Sequence, residues 1–392
     1  MNKQFARKGK PFRSKRRNSG KKQAKSLDPN SLLVGKKDQI KNEFLPRQRF
    51  SELTLHPDLK ANLAARGYEW PTEIQESSLQ ALLECRDIVG VASTGTGKTA
   101  AFLIPLIERL LSSDKEFTSL IVVPTRELAL QVADEFNHLT RDMGFRAACF
   151  IGGTNVDKDI QKLRRFNHFL IGTPGRLLDM TDRGALKMKD VSVLILDEFD
   201  RMLDMGFVND IQRIVDAIGR RDQTMLFSAT MDKSQKNLVR SLTNNPIEVK
   251  ISSGTEASTN VDQHLIYLKG EEDKYEVLVG MIGEDSFEKV IIFAETKRMV
   301  DKLSKKLNRS GVNASHIHGD KSQNYRNRAI KRFKNGGSQV LVATDVAARG
   351  IDIADVSHVI NYQMPTSKDS YIHRIGRTGR AGKSGIAYTF VD

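Results

Sequence analysis

Three carboxylates follow an apolar run near the middle of the chain. The run VSVLIL, residues 191–196, is followed at once by Asp197, Glu198 and Asp200. Carboxylates this close repel one another unless a cation lies among them or water surrounds them. Taken alone, the segment DEFD is more typical of a capped helix start than of a catalytic site.

A glycine-rich segment predicts a polyphosphate ligand. The strand-like run DIVGVA leads into Ala92, Ser93, Thr94, Gly95, Thr96, Gly97, Lys98 and Thr99, and a helical pattern follows. In such a loop the glycines let backbone amides surround an anion, the lysine reaches the outer phosphates and the threonine hydroxyl can ligate Mg²⁺. Ala92 stands where the motif prefers glycine. We therefore expect a nucleoside triphosphate with magnesium at this loop.

The phosphate loop gives the carboxylates a chemical role. A magnesium ion on a triphosphate takes a carboxylate from the end of a neighbouring strand, and a nearby acid can orient the attacking water. We predict that Asp197 and Thr99 are metal ligands, partly through water, and that Glu198 acts on the water.

Alternating elements are needed to position these groups. Strand-like runs lie at 87–92, 119–124, 168–172, 191–196 and 224–229, and again at 289–294, 339–344, 358–362 and 386–391. Helical patterns such as 126–139 lie between them, and a polar Ser/Thr-rich stretch at 250–262 interrupts the series. The alternation predicts an α/β fold with parallel sheets covered on both faces, which bind ligands at the carboxyl ends of their strands.

Equal spacing in the two halves indicates a repeated unit. Thr125 and Thr173 are 48 residues apart, and so are Thr296 and Thr344; each follows a strand-like run. Two copies of one αβ unit would produce this spacing, and a chance coincidence is the alternative.

Length and charge predict how the chain is divided. Its 392 residues suit two domains with an appendage. Eleven basic residues precede the first acid, Asp28, which leaves 51 basic and 48 acidic residues in 28–392. We predict a basic disordered tail over 1–44, a first domain over 45–250, a linker over 251–258 and a second domain over 259–392. The tail is either a solvated appendage or a non-specific grip on polyphosphate.

Other classes of protein are disfavoured by composition. The sequence has no run of 18 apolar residues and its amino terminus has no apolar core, so we expect neither a membrane segment nor a signal peptide. Cys85 and Cys149 have no neighbours at metal-ligand spacing, which argues against zinc and against a disulfide scaffold. We expect a cytoplasmic protein, and nothing in the sequence demands more than a monomer.

The ordered motifs resemble those of the DEAD-box ATP-dependent RNA helicases of superfamily 2, over about residues 50–392. They are GYEWPTEIQ (67–75), ASTGTGKT (92–99), PTREL (124–128), GG (152–153), TPGR (173–176), DEFD (197–200), SAT (228–230), IIFAETK (291–297), QNYR (323–326), ATDVAARGID (343–352) and HRIGRTGR (373–380). The resemblance implies two RecA-like domains, each a mostly parallel sheet covered by helices, joined by a flexible linker.

The resemblance also implies roles for individual residues. Adenine would be contacted by Phe50, Tyr68 and Gln75, and the ribose by Asp352. Arg377 and Arg380 would be arginine fingers that act with Lys98, Asp197 and Glu198. RNA would contact Pro124, Thr125, Arg126, Gly153, Thr173, Pro174, Gly175, Arg176, Arg326 and Thr344, while Ser228, Thr230 and His373 would couple nucleotide to RNA. Surface ion pairs are the alternative role for Arg126 and Arg176.

Two positions depart from the family pattern. Phe199 replaces the usual alanine of motif II, and we expect its apolar ring to pack behind the site where a small neighbour leaves room. Gln363 replaces an aspartate, which removes one carboxylate from the cleft and alters the coupling between domains in a direction that the sequence does not give.

The activity implied is that of an RNA-stimulated ATPase that separates short RNA duplexes. RNA contacts to the sugar-phosphate backbone would give little sequence preference. Two alternatives stay open at this point: an ATP-gated RNA clamp or assembly factor with little unwinding, and a DNA helicase that uses the same motor.

Overall fold

The computed structural model describes residues 28–29, 44–93, 95–112, 117–231, 233–251, 261–270, 272–348, 353, 355–379 and 384–391. Most of the predicted tail and the predicted linker therefore lie outside the described residues. Within those residues, no helix has both the length and the apolar character needed to cross a membrane.

The described part of the first lobe contains seven strands. They are β1 (Ile88–Val91), β2 (Thr118–Val122), β3 (Ala147–Phe150), β4 (Phe169–Gly172), β5 (Val191–Leu196), β6 (Gln223–Ser228) and β7 (Ile247–Lys250). Its helices are α1 (Pro57–Ala65), α2 (Glu73–Leu83), α3 (Lys98–Leu111), α4 (Arg126–Leu139), α5 (Val156–Lys162), α6 (Pro174–Asp182), α7 (Phe199–Asp204), α8 (Val208–Ile218) and α9 (Lys233–Leu242), with a short 3-10 helix at Met188–Asp190.

The described part of the second lobe contains six strands. They are β8 (Val261–Tyr267), β9 (Val290–Phe293), β10 (Ala314–Ile317), β11 (Val340–Ala343), β12 (His358–Asn361) and β13 (Gly385–Val391). Its helices are α10 (Lys274–Ile282), α11 (Lys297–Arg309), α12 (Gln323–Lys334), α13 (Asp345–Ala348) and α14 (Lys368–Ile375).

Both sheets are parallel and share one strand order. The first runs β3-β4-β2-β5-β6-β1-β7 and the second runs β10-β11-β9-β12-β13-β8. Every pairing is parallel, for example Ile121 beside Ile195 and Ile291 beside Leu341. Strands β1 to β6 occupy the same positions in the first sheet as β8 to β13 occupy in the second, so the two lobes repeat one topology. The predicted α/β fold of two RecA-like lobes is confirmed.

Apolar residues cover both faces of each sheet. In β5, Val193 and Ile195 face one core of the first lobe, whereas Leu194 and Leu196 face the other. All four side chains are fully buried, and each such burial stabilises the fold by about 1.5–3 kcal/mol. A continuous apolar run is thus the sequence of a strand with a helical layer on each side.

The sheet order brings three motifs to one edge. β1, β6 and β5 are adjacent, and they end at Val91, Ser228 and Leu196. The phosphate loop, the SAT segment and the DEFD segment follow these ends, so they lie side by side at the carboxyl edge of the first sheet.

Candidate nucleotide and RNA site

The phosphate loop is closed on its own backbone by Lys98. Gly95 and Gly97 have φ of +87° and +88°, a region that residues with a Cβ rarely adopt. Lys98 begins α3, is 7% exposed, and donates from Nζ to the carbonyl of Ala92 at 2.7 Å. The loop thus places the buried Lys98 cation and a tightly curved backbone where the sequence predicts an anion. Thr94 lies outside the described residues.

Gln75 ties the start of α2 to the phosphate loop. Its Nε2 donates to the carbonyl of Gly97 at 3.1 Å, and its Oε1 accepts from the backbone N–H of Thr72 at 2.9 Å. A Cβ on Gly97 would lie 2.4 Å from Gln75 Nε2, so a larger residue here would have to displace the Gln75 amide as well as adopt an unfavourable φ. Both hydrogen bonds fix which end of the Gln75 amide faces the nucleotide loop.

The two aromatic residues assigned to adenine pack against each other. The rings of Phe50 and Tyr68 meet edge to face with centroids 6.0 Å apart. Phe50 is 3% exposed within the first-lobe core, and the Tyr68 hydroxyl donates to Glu135 Oε1 at 2.9 Å. Burial and the Glu135 carboxylate raise the pKa of Tyr68, which keeps the phenol neutral. Adenine contact by this pair stays a prediction.

Asp197 is a buried carboxylate next to the loop. It is 2% exposed, and its Oδ1 accepts from the backbone N–H of Glu198 at 2.8 Å. Burial raises the pKa of Asp197 to about 6; Lys98 opposes the rise and Glu198 adds to it. Ionising this buried carboxyl costs free energy when no cation is nearby. A bound cation would favour the charged form and lower that cost.

Glu198 is held by a buried arginine that the sequence analysis did not single out. Its backbone has φ of +53°, in the left-handed region, and its Oε2 lies 2.6 Å from Arg201 Nη1. Arg201 is fully buried, and its Nη2 has no hydrogen-bond partner among the described residues. The arginine therefore fixes the orientation of the predicted water-activating carboxylate. The one-turn spacing of the two residues on a helix was the available signal.

Asp200 links the DEFD and SAT segments. Its Oδ2 accepts from both the backbone N–H and the hydroxyl of Thr230, each at 3.1 Å, and its own N–H donates to Ser228 Oγ at 3.3 Å. The Ser228 hydroxyl in turn donates to the carbonyl of Thr230 at 2.6 Å. A shift of either segment must therefore move the other, which is the connection that a coupling motif requires.

Phe199 lies in the second core of the first lobe. Its side chain is fully buried in a cluster that includes Leu177, Met180 and Met202. The ring thus packs beneath the acidic segment, as predicted from the sequence. That a small neighbour makes room for it stays a hypothesis.

Arg126 packs across the paired glycines. A Cβ on Gly152 would lie 2.9 Å from Arg126 Nη2, and one on Gly153 would lie 2.6 Å from Nη1. Thr125 caps α4, since its hydroxyl accepts from the N–H of Leu128 at 3.3 Å. Burial lowers the pKa of Arg126, and the nearby Arg326 adds to that effect. The glycines thus let a cation approach the backbone closely.

Arg176 supports the turn around those glycines. Its Nε donates to the carbonyl of Ile151 at 3.2 Å and its Nη2 to Thr154 Oγ1 at 2.9 Å. It also pairs with Asp159 and Asp179, each at 3.3 Å. Only 8% of the residue is exposed, so Arg176 supports the turn from the interior of the lobe. The RNA contacts predicted for Arg176, for Pro124 before α4, and for Thr173, Pro174 and Gly175 at the start of α6 stay predictions.

The lobes meet at Glu127, a residue absent from the predicted site. Its Oε1 lies 2.9 Å from Arg326 Nη2 and accepts from Gln323 Nε2 at 2.8 Å. Glu127 and Arg326 are 5% and 9% exposed. Arg326 also donates to the carbonyl of Ala347 at 3.4 Å, so it joins the first lobe to the segment that follows Thr344.

Arg374 and Arg377 of the second-lobe arginine motif are held by hydrogen bonds within their own lobe. Arg374 binds both oxygens of Asp345, at 2.6 and 2.8 Å, and donates to the carbonyl of Gln363 at 2.9 Å. The Gln363 side chain accepts from the N–H of Glu295 at 2.8 Å. Arg377 is 5% exposed and donates from Nε to the carbonyl of His373 at 3.3 Å. Arg380 and Asp352 lie outside the described residues.

Comparison with known proteins identifies both lobes. Residues 72–238 match the family model described as DEAD/DEAH box helicase, and residues 273–382 match the helicase conserved C-terminal domain. The chain is 41% identical over 342 residues to the DEAD-box ATP-dependent RNA helicase CshA of Bacillus licheniformis, covering 87% of this chain and 70% of that relative.

Two solved structures of Saccharomyces cerevisiae Dbp5 are similar to this chain over most of its length. The form bound to RNA and ADP BeF3 is 32% identical and matches 88% of this chain and 89% of its own with a TM-score of 0.78. A variant bound to Nup159, Gle1, IP6 and ADP is 30% identical and matches 86% and 88% with a TM-score of 0.61.

Proposed function

Because this chain belongs to the DEAD-box ATP-dependent RNA helicases, we propose that it hydrolyses ATP in response to RNA and locally separates short RNA duplexes. The observation that carries the proposal is the buried contact between Glu127 and Arg326 at 2.9 Å. It joins the two lobes beside the segments assigned to RNA, so a ligand that binds both lobes would favour this arrangement.

The first lobe would hold ATP and its metal. Lys98 would exchange the Ala92 carbonyl for phosphate oxygens, and Gln75 would read the adenine edge. Asp197 and Thr99 would hold Mg²⁺, and the fit rests on the buried, easily protonated carboxyl beside the glycine loop. When bound, magnesium supplies positive charge that offsets the charge on the phosphates.

Hydrolysis then depends on groups from both lobes. Glu198, fixed by Arg201, would orient the attacking water. Arg377 and Arg380 would bring positive charge from the second lobe, an effect worth roughly 10³ to 10⁵ in rate for arginine fingers. Asp352 would contact the ribose. ATP turnover therefore requires closure of the lobes, and RNA stimulates turnover because it favours closure.

RNA would be held through its backbone. The hydroxyls of Thr125, Thr173 and Thr344 and the backbone amides of Gly153 and Gly175 suit phosphate and sugar contacts, which position a strand without reading its bases. The basic tail would add non-specific affinity. The chain would act in the cytoplasm and as a monomer.

Two assays test the proposal against its alternatives. ATP turnover should rise with RNA and much less with DNA of the same sequence; equal or greater stimulation by DNA would indicate a DNA helicase. A short RNA duplex should be separated with ATP. RNA-stimulated turnover without any strand displacement would instead indicate an ATP-gated clamp.

A further inference from the structure

Positive charge in the folded body is concentrated around one sheet edge of the second lobe. Residues 297–334 contain 12 basic and 2 acidic residues. The rest of 28–392 contains 39 basic and 46 acidic residues, a net charge of −7. The body is therefore acidic outside this segment. A polyanion would meet favourable charge here and in the tail, and unfavourable net charge over the rest of the body.

The segment folds around the edge strand β10. Helices α11 and α12 both pack against β10, but their buried residues belong to different cores: Leu303 and Leu307 to one, Ala329 and Phe333 to the other. The two helices therefore cover opposite faces of the sheet, with the edge strand β10 between them.

Six exposed residues form what we call the basic edge. They are Lys302, Lys305 and Arg309 on α11, and Arg328, Lys331 and Lys334 on α12. None of the six is paired with a carboxylate within the part of the chain that the structure describes. The two acids of the segment are already engaged by other cations, Asp301 by Lys321 at 2.9 Å and Asp320 by Lys297.

Charge spacing on the helices opposes a purely structural role. Lys302 and Lys305, like Arg328 and Lys331, stand three residues apart on one helix face. Like charges that are neighbours on one helix face repel each other and destabilise the helix. A bound polyanion would remove that repulsion and gain from each contact.

The basic edge is continuous with the contact between the lobes. Arg326, which binds Glu127, stands on α12 eight residues before Lys334, about 12 Å along the helix axis. An RNA strand that passes the Glu127–Arg326 contact and continues along α12 would next meet the exposed Arg328, Lys331 and Lys334.

We propose that the basic edge is a second RNA-binding surface, which holds the phosphate backbone of RNA flanking the strand bound between the lobes. This inference rests on the proposed function. It predicts that long or structured RNA binds more tightly than a strand that fills only the site between the lobes, because only the longer RNA reaches the edge.

The test compares two variants of the full chain with equal charge change. One carries Lys302→Gln, Lys305→Gln, Lys331→Gln and Lys334→Gln. The control carries Lys158→Gln, Lys187→Gln, Lys189→Gln and Lys236→Gln, four exposed lysines of the first lobe. Binding is measured against salt with RNA of about 8 and about 25 nucleotides, within and beyond the usual site size of one domain.

The basic-edge variant should bind the long RNA at least tenfold more weakly, with a salt slope lower by up to about 3. It should bind the short RNA normally and retain full ATP turnover at saturating short RNA. Equal long-RNA binding by wild type and variant, or an equal loss in the control, would overturn the inference. The inference would also be overturned if the basic-edge variant kept its affinity for long RNA but lost its affinity for poly-glutamate. That pattern would indicate an acidic protein partner. Stimulation of the wild type by the short RNA tests the proposed function separately.

Discussion

Glu127 and Arg326 form a buried ion pair, 2.9 Å between Oε1 and Nη2, that joins the first lobe to the second. The carboxylate also accepts a hydrogen bond from Gln323, so two groups of α12 converge on one oxygen. A charge buried in this way is costly once its partner is removed. The pair therefore favours the closed arrangement and opposes partial opening.

The first prediction concerns this pair. Glu127→Gln keeps the shape but removes the charge, so closure loses a charged hydrogen bond worth about 1.5–3 kcal/mol. The RNA concentration for half-maximal ATP turnover should rise about 10- to 100-fold. Asp134→Asn, an exposed change on the same helix, is the control and should leave this concentration within twofold. An unaltered RNA dependence in Glu127→Gln would mean that the contact does not stabilise closure.

The second prediction concerns Asp197. Its pKa of about 6 lies above that of the unfolded chain, so the folded form binds a proton more tightly and stability falls as pH rises from about 4 to 6. Asp197→Asn should thus stabilise the nucleotide-free protein at pH 7.5 by up to about 3 kcal/mol, with the gain shrinking toward pH 4. Denaturant unfolding at both pH values measures this, with the exposed Asp216→Asn as control.

The same proton affects nucleotide binding. Magnesium requires the ionised carboxylate, so Mg·ATP should bind wild type more weakly as pH falls below about 6. Titration calorimetry should also detect proton release on binding. An affinity that stays constant from pH 7.5 to 5 would show that Asp197 is already ionised in the free protein.

The third prediction concerns Arg201. Arg201→Met removes the buried cation that holds the Glu198 carboxylate in place, so the attacking water should be oriented less well. Turnover should fall about 10²-fold or more, as for loss of a general base, with little change in KM for ATP. Arg201→Lys should restore part of the rate. The matched control is Arg213→Met, which removes an exposed ion pair with Asp182.

A purely structural arginine would give a different pattern. Removing one partner of a buried pair costs about 3–5 kcal/mol, so the melting temperature of Arg201→Met should fall in either case. Only a positioning role lowers the turnover of the fraction that remains folded, at saturating ATP and RNA, while KM for ATP stays nearly constant. A lower melting temperature with unchanged turnover of the folded fraction would contradict the assignment.

The fourth prediction concerns the tail. Deleting residues 1–27 removes eleven positive charges, so RNA affinity should fall and its dependence on salt should flatten. Turnover at saturating RNA should stay within about twofold, because no motif is lost. If the salt slope is the same with and without the tail, the tail is a solvated appendage.

The fold could be predicted from the sequence wherever strands are central. β5 and α4 begin and end where the apolar pattern predicts, at 191–196 and 126–139. The strands β3, β7, β8 and β10 were not predicted, and each is the edge strand of its sheet. An edge strand is paired on one side and is more exposed, so polar residues interrupt its apolar run, as in IEVK of β7.

The site could be predicted where one segment carries the chemistry. The glycine loop and DEFD are local patterns, and parallel strands bring them to one edge. The lobe contact was missed because Glu127 and Gln323 are 196 residues apart, and no local period links them. Arg201 was missed because an arginine in a helix is usually exposed, and its burial depends on the packing of the whole lobe.

In the proposed function, ATP held by the first lobe is cleaved only when arginines of the second lobe reach it. The most direct test is RNA-stimulated ATP turnover of Arg377→Ala in the full chain, alongside equilibrium binding of ATP and the exposed control Arg298→Ala. Turnover should fall by about 10³-fold or more, while ATP affinity should change only a few-fold. Turnover within tenfold of wild type, with folding and ATP binding intact, would contradict the proposed function.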